Sequence, residues 1–159
     1  MTTEEYNQSV DLYSDRLYRF VLKNLNDIQK AEDIVQDSYE KLWRNVKNVN
    51  SEKVKSYLFT TAYHTMIDRL RKDNRSTLSD KMPETSHENN YSDLSEILQD
   101  ALTRLPEIQR TVILLRDYEG YSYKEIGEIT NLSESQVKVY IYRARVFLKM
   151  YIGKIEVVI

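Results

Sequence analysis

The chain has 159 residues, of which 41% are hydrophobic and 30% charged, and its formal net charge is −2. It contains no cysteine, three glycines and two prolines, which excludes disulfides and thiol catalysis and predicts a mostly helical chain. No apolar run approaches the roughly 20 residues of a membrane span, and the acidic N-terminus lacks a hydrophobic signal core. These features predict a soluble, cytoplasmic protein of one domain or two small ones.

Most catalytic chemistries find no support in the residues. Zinc sites normally take Cys or His ligands, and the chain has no Cys and only two His. Glycine-rich phosphate loops and the nucleophile motif GxSxG are also missing. The sequence therefore predicts no active site, no metal site and no cofactor.

Charge is distributed unevenly along the chain. Residues 53–75 carry six basic and two acidic side chains, residues 76–100 carry one and six, and residues 136–154 carry five and none. Residues 76–92 are rich in Ser, Thr, Asn, Asp and Glu and have too few apolar side chains to offset the entropy of ordering. We therefore expect a flexible acidic linker at 76–92 between helical domains at 1–75 and 93–159.

The first domain is predicted to contain three helices. Apolar residues at spacings of three and four indicate a helix ending near residues 24–27, a second from Ile28 to about Val46, and a third from Val54. The apolar residues of the second helix, Ile28 and Trp43 among them, lie largely on one side. The other side carries four polar residues that are usually just solvated surface: Asp33, Gln36, Asp37 and Glu40.

Aromatic and basic residues mix along the third helix. Tyr63 and His64 lie outside its apolar stripe, near Lys53, Lys55, Arg69, Arg71 and Lys72. Binding of single-stranded nucleic acid needs both a π face and neutralisation of phosphate, and this pattern offers both. The alternative is that Tyr63 packs the helix against the linker.

Four helices are predicted in the second domain. Pro106 suits the first turn of a helix, Gly120 a helix end, and Ser122 with Glu125 a capping box. A short helix from Tyr123 to about Thr130 is followed by a tight turn.

A long basic helix, from Glu134 to about Tyr151, follows that turn and opens on a second capping box, Ser133 with Gln136. Short helix, turn and basic helix together are typical of a helix-turn-helix, whose second helix enters the major groove of DNA. An ordinary helical hairpin with a solvated basic face is the alternative. The candidate DNA contacts are Ser135, Gln136, Lys138, Val139, Tyr142 and Arg143.

Three motifs in this order resemble a known family. The runs AEDIVQDSYEKLW (31–43), VKSYLFTTAYHTMIDRLRK (54–72) and the segment 102–149 are similar to the extracytoplasmic-function group of bacterial sigma factors. The resemblance implies an all-α fold, with a three-helix region-two-like bundle and a four-helix region-four-like helix-turn-helix domain. It implies a subunit that directs RNA polymerase to promoters and assists their melting.

The resemblance also implies partners and a docking surface. Sigma factors of this group bind the polymerase core through its β′ clamp helices and β flap, bind promoter DNA, and are commonly held by an anti-sigma protein. Membrane insertion is not expected. The residues that match the polymerase-binding helix are Asp33, Gln36, Asp37, Glu40, Leu42 and Trp43.

Two DNA-binding sets follow from the same resemblance. The loop before the third helix matches the segment that captures a flipped base of the minus-ten element. The minus-ten set is Asn48, Asn50, Ser51, Lys53, Lys55, Tyr63, His64, Arg69, Arg71 and Lys72. The minus-thirty-five set is Ser133, Ser135, Gln136, Lys138, Val139, Tyr142, Arg143 and Arg145.

Two other classes of function fit the residues less fully. One is a free-standing helix-turn-helix regulator in which the first domain dimerises or binds a ligand. The other is a helical adaptor whose basic faces have no specific role.

Overall fold

A computed structural model describes residues 1–76 and 93–158, so residues 77–92, most of the predicted linker, lie outside the described residues. The described chain forms two compact helical units, one on each side of that gap. Ser76, expected to open the linker, still belongs to a helix. The predicted all-α class is confirmed.

The first unit is a three-helix bundle of α1 (Thr3–Leu25), α2 (Ile28–Arg44) and α3 (Val54–Ser76). A single 3₁₀ turn, Ser51–Lys53, precedes α3. A capping box between Thr2 and Glu5 starts α1, and Asn26 ends it in the left-handed conformation at φ 52°. The side chain of Asp27 then caps α2.

The core of this bundle lies between all three helices. Its fully buried side chains include Leu17 and Val21 of α1, Ile34 of α2 and Phe59 and Met66 of α3.

Polar contacts stabilise the rim of the same bundle. The Tyr39 hydroxyl donates to the Ser9 carbonyl oxygen at 2.8 Å, and burial raises the pKa of that hydroxyl. The Lys41 ammonium donates to the Thr65 hydroxyl at 2.9 Å. These bonds connect α2 to α1 and to α3.

The second unit contains α4 (Asp93–Arg104), α5 (Glu107–Asp117), α6 (Tyr123–Thr130) and α7 (Glu134–Val158). Pro106 occupies the N-cap of α5, one residue before the predicted first turn, and Gly120 after α5 has φ 72°. Both capping boxes are formed, Ser122 with Glu125 and Ser133 with Gln136. The helices before and after the helix-turn-helix turn therefore begin where the sequence predicts.

The core of the second unit is built around α5 and α7. Five consecutive residues of α5, Thr111–Leu115, are buried, and α5 packs against α6 and α7, whose buried residues include Ile126, Ile129, Val137 and Ile141. The guanidinium of Arg110 donates to three carbonyl oxygens at the end of α4, each at 3.4 Å. Arg110 thereby caps α4 from the neighbouring helix.

Gly127 sets how closely α6 approaches the turn that leads to α7. A Cβ at this position would lie 2.6 Å from the backbone oxygen of Leu132. Asn131 completes the turn at φ 60°, and the Leu132 amide donates to the Gly127 carbonyl oxygen at 3.1 Å. Only glycine fits here without moving the backbone.

Gly127→Ala is therefore expected to destabilise the second unit by about 1–3 kcal/mol, the usual cost of overpacking. Urea denaturation followed by circular dichroism measures the change. Gly153→Ala is the matched control, because its Cβ, in the C-terminal part of α7, would meet no atom within 4 Å. That control should gain up to about 1 kcal/mol from helix propensity. Equal stability of the two variants would show that the turn adapts to a methyl group.

Two expectations about the helices need correction. Ile28 is expected among the buried apolar residues of α2, but it is the first residue of the helix and is 56% exposed. The last helix continues to Val158 rather than ending near Tyr151. None of the described helices combines the length and apolar character needed to cross a bilayer.

Candidate nucleic-acid interface

The loop between α2 and α3 surrounds a surface cavity in the first unit. The cavity has a volume of about 370 Å³ and is lined by Met1, Glu5 and every residue of the segment 47–51. Asn48 and Asn50 are exposed, and Ser51 is partly buried. The loop thus presents short polar side chains around an open space.

Local bonds hold this loop in place. Val49 is buried under it, and the Asn50 side-chain oxygen accepts from the Glu52 amide at 3.2 Å, which caps the 3₁₀ turn. The Asn48 amide donates to the Asn45 carbonyl oxygen at 2.9 Å. The Asn50 carbonyl group and side-chain oxygen are therefore engaged in the loop itself, and Asn48 directs its side chain to solvent.

On α3 the predicted minus-ten residues separate onto different faces. His64, Arg71 and Lys72 are exposed on one side of the helix, and Lys53 is exposed just before it. Lys55 is partly buried, with its ammonium 5.8 Å from the centre of the Phe59 ring. The exposed cationic face is therefore narrower than the sequence suggested.

Tyr63 is not available as an exposed platform, because only 8% of it is accessible. It follows Phe59 by four residues and precedes Met66 by three, so it extends the buried side of α3. Its ring meets His64 edge-on, with 5.5 Å between centroids. The expectation that Tyr63 faces outward for stacking is wrong, whereas His64 does face solvent.

Arg69 faces α2 rather than the outer side of α3. Its guanidinium forms an ion pair with the Asp37 carboxylate, and both side chains are little more than one-third exposed. A second pair joins the same helices, with Lys30 Nζ 3.1 Å from the Asp73 carboxylate. Asp37 was expected to be a freely exposed acid; the structure instead pairs it with a residue predicted to touch DNA.

The acidic face of α2 is formed by the remaining predicted residues. Asp33, Gln36 and Glu40 are exposed and lie within two helical turns, and Glu40 also pairs with Arg44 at 2.7 Å. Leu42 must be removed from the docking set, because it is 0% exposed and belongs to the bundle core. Trp43 is 49% exposed and packs edge-on against Tyr6, with 5.0 Å between centroids.

The first three turns of α7 carry the clearest candidate for DNA reading. All eight residues of the predicted minus-thirty-five set are exposed, as a groove-reading surface requires. Five of them share one side of the helix, since successive residues turn by about 100°. They are Ser135, Gln136, Val139, Tyr142 and Arg143.

Lys138 and Arg145 lie on the flank of α7 that faces α5 and α6. Arg145 donates to the Asp117 carboxylate at 2.7 Å, and this bond raises the pKa of the guanidinium. The ammonium of Lys138 is 5.7 Å from the centre of the Tyr123 ring, and Arg116 covers the same ring at 4.6 Å. Sequence spacing did not separate this flank from the reading side.

Glu5 lines the cavity beside the loop between α2 and α3, and the sequence did not single it out as a site residue. The Thr2-x-x-Glu5 capping pattern is visible in the sequence, but its location beside the loop of α2 and α3 depends on the packing of the bundle. The Ser51 hydroxyl and the backbone of Thr2 hold the pKa of the Glu5 carboxyl below its usual value.

Family comparisons match both units. The family model of sigma-70 region 2 matches residues 10–76, and that of sigma-70 region 4 matches residues 95–148. These matches cover the helix bundle and the helix-turn-helix unit respectively.

Relatives extend the likeness over almost the whole chain. The chain is 30% identical to the ECF RNA polymerase sigma factor SigM of Bacillus subtilis over 156 residues, which is 94% of each protein. It is also 30% identical over 158 residues to SigW of the same organism, covering 88% of this chain and 84% of SigW.

A solved structure has the same fold. The sigma factor RpoE of Bartonella quintana, determined in complex with the anti-sigma factor NepR, superposes with a TM-score of 0.78 at 24% identity. The match covers 95% of this chain and 98% of RpoE. At this identity the likeness shows the fold alone.

The relatives and family models decide between the functions that the sequence left open. Region 2 followed by region 4, over nearly the full length of SigM, disfavours the free-standing regulator. A sigma factor directs RNA polymerase to promoters, and this function accounts for both units. The chain belongs to the extracytoplasmic-function group of the sigma-70 family of RNA polymerase sigma factors.

Proposed function

We propose that the two units divide promoter recognition, residues 1–75 binding the minus-ten element and residues 93–159 the minus-thirty-five element. The observation that carries this proposal is the reading side of α7. The helix presents five exposed side chains on that side, and its opposite side is buried. One chain carrying both units makes the second contact intramolecular, which raises avidity without new contacts.

In the first unit, the proposed minus-ten surface consists of the loop 47–53 and the outward face of α3. The cavity beside the loop is of a size that suits a small ring system. Capturing an extruded base there would offset the few kcal/mol, in order of magnitude, that unstacking costs. His64 and Arg71 are exposed on α3, which supports their proposed contacts with the following nucleotides and phosphates.

The proposed polymerase surface is the acidic face of α2 with Trp43 at its edge. Exposed carboxylates steer association with a basic partner, and a half-exposed tryptophan supplies an apolar anchor. The proposed polymerase partners are the β′ clamp helices for this face and the β flap for the second unit.

We propose that other proteins perform the catalysis and inhibit this chain. We propose that the chain has no active site, that polymerase performs the chemistry, and that the site of action is the cytoplasm, where polymerase works. RpoE of Bartonella quintana was solved bound to an anti-sigma factor. By likeness of fold, an anti-sigma protein is proposed as a partner here.

In the second unit, Gln136 is proposed to read one base pair. Its side-chain oxygen accepts from the Ser133 amide at 2.9 Å, which leaves the amide NH₂ group to donate to a base edge. Gln136→Ala is expected to weaken discrimination at one base pair by about fivefold and to leave polymerase binding intact.

Selection of promoters from a randomised minus-thirty-five library measures that change. Ser133→Ala removes the hydroxyl of the same capping box and keeps the Gln136 side chain, so discrimination at the base pair assigned to Gln136 should be retained. Equal losses on every promoter sequence would argue against a reading role for Gln136.

In vitro transcription with purified core polymerase tests the whole proposal. Adding the chain should create start sites on a promoter library that core polymerase alone does not use. The start sites should share two conserved elements, one for each unit. Unchanged start sites with and without the chain would overturn the proposal.

A further inference from the structure

The cavity beside the loop 47–51 has a wall that the loop itself does not provide. The loop sequence, KNVNS, contains amide, hydroxyl and ammonium groups but no carboxylate. Glu5 of α1 supplies one, although it is more than forty residues away in the chain. The bundle thus brings an acidic group to the place proposed to hold an unpaired base.

Glu5 is held at the start of α1 by two hydrogen bonds with Thr2. Its carboxylate oxygen accepts from the Thr2 amide at 2.9 Å, and its own amide donates to the Thr2 hydroxyl at 3.1 Å. The Ser51 hydroxyl and the Thr2 backbone lower the pKa of this carboxyl, which favours its ionised form. An ionised carboxylate accepts hydrogen bonds and donates none.

From this geometry we infer that Glu5 is a specificity-determining residue for the minus-ten element and selects against thymine. The inference rests on the proposed function of the loop. Cytosine, adenine and guanine each carry an amino group that can donate to a carboxylate, as Glu does with cytosine N4 in base recognition. Thymine has no amino group, and the one donor on its Watson–Crick edge, N3–H, lies between two carbonyl oxygens, so a carboxylate that approaches this edge meets a carbonyl oxygen beside the donor.

The neighbouring side chains suit the same arrangement. Asn48 projects from the rim and can donate to a ring nitrogen or carbonyl oxygen of the captured base. Lys47, exposed beside it, offers an ammonium for the adjoining phosphate. Asn50 uses its side-chain oxygen to cap the 3₁₀ turn, so the carboxylate acceptor at the cavity comes from Glu5.

The test uses reconstituted holoenzyme on premelted promoters randomised across the minus-ten element, with start-site sequencing as the readout. The unmodified chain should disfavour thymine at one position by about tenfold. Glu5→Gln should lose this discrimination at that position alone, because its amide nitrogen can donate to the thymine carbonyl oxygen. Glutamine also serves in a capping box, so α1 should remain intact.

Two matched variants separate base reading from charge and from helix capping. Glu4→Gln removes the same charge from the adjacent exposed residue, which does not line the cavity. Thr2→Ala removes the hydroxyl that accepts from the Glu5 amide, but it keeps the Glu5 carboxylate and the Thr2 amide that donates to it. Both should keep the tenfold discrimination.

A chemical substitution tests the inference without any variant. At the selected position, 5-methylcytosine keeps the methyl group of thymine and adds the amino group. The unmodified holoenzyme should therefore use 5-methylcytosine as efficiently as it uses cytosine. Use of 5-methylcytosine as poor as that of thymine would overturn the inference, as would unchanged discrimination in Glu5→Gln. Holoenzyme that initiates nowhere new would instead overturn the proposed function.

Discussion

Asp33→Arg is expected to abolish stable assembly with core RNA polymerase while the chain stays folded. Asp33 is exposed on the acidic face of α2, and no ion pair or hydrogen bond joins its side chain to the part of the chain that is described. Reversing the charge of this side chain replaces its attraction to a basic surface of polymerase with repulsion between like charges. A cost of about 3 kcal/mol corresponds to about a hundredfold rise in Kd, which gel filtration with purified core enzyme and fluorescence anisotropy would detect.

Asp11→Arg is the matched control, since it makes the same charge change at an exposed residue of α1. It should bind polymerase like the unmodified chain. Asp33 is a cleaner target than Asp37, because reversal of Asp37 would face Arg69 with a second guanidinium and disturb the contact of α2 with α3. Unimpaired assembly of Asp33→Arg would remove the acidic face from the polymerase surface.

Local sequence signals were sufficient to predict the helices. Capping boxes, a proline and a glycine act within four or five residues, so they have the same meaning in the sequence as in the folded chain. The α6 helix, Tyr123–Thr130, begins and ends as predicted for this reason. Periodicity also bears on the packing of α6 against α7, because Ile126, Val137 and Ile141, apolar residues at helical spacing, are all buried.

Side-chain direction was harder to predict where a residue lies near the edge of an apolar stripe. Tyr63 is amphipathic, so its type permits either burial or exposure, and the width of the buried side of α3 depends on the helices packed against it. Leu42 shows the opposite problem. The motif shared with the family includes it, but its contribution is to the core of the bundle.

Contacts between distant parts of the chain had no local signal. The pairing of Asp37 with Arg69 and the approach of Glu5 to Ser51 both follow from how three helices pack. A sequence shows the charges but not which of them meet. The division of α7 into a reading side and a flank held by Asp117 and Tyr123 depended in the same way on α5 and α6.

Arg143→Ala is expected to weaken promoter binding by the holoenzyme on every sequence to a similar degree. Arg143 is exposed on the reading side of α7, and its side chain forms no hydrogen bond or ion pair with any of the described residues. Its guanidinium is therefore available for a phosphate beside the major groove. Loss of one phosphate contact should reduce the slope of log K against log salt by about 1, which filter binding across a salt series measures.

The size of the effect on affinity and its sequence dependence separate phosphate binding from base reading. Lys149→Ala removes the same charge from α7 further along the helix, so it should leave the salt slope nearly unchanged if contact, rather than net charge, determines the slope. The salt slope of Arg145→Ala should lie between those of Arg143→Ala and Lys149→Ala, since Arg145 already pairs with Asp117. A loss in Arg143→Ala confined to promoters with one base pair would instead make Arg143 a base reader, because a phosphate contact carries no sequence information.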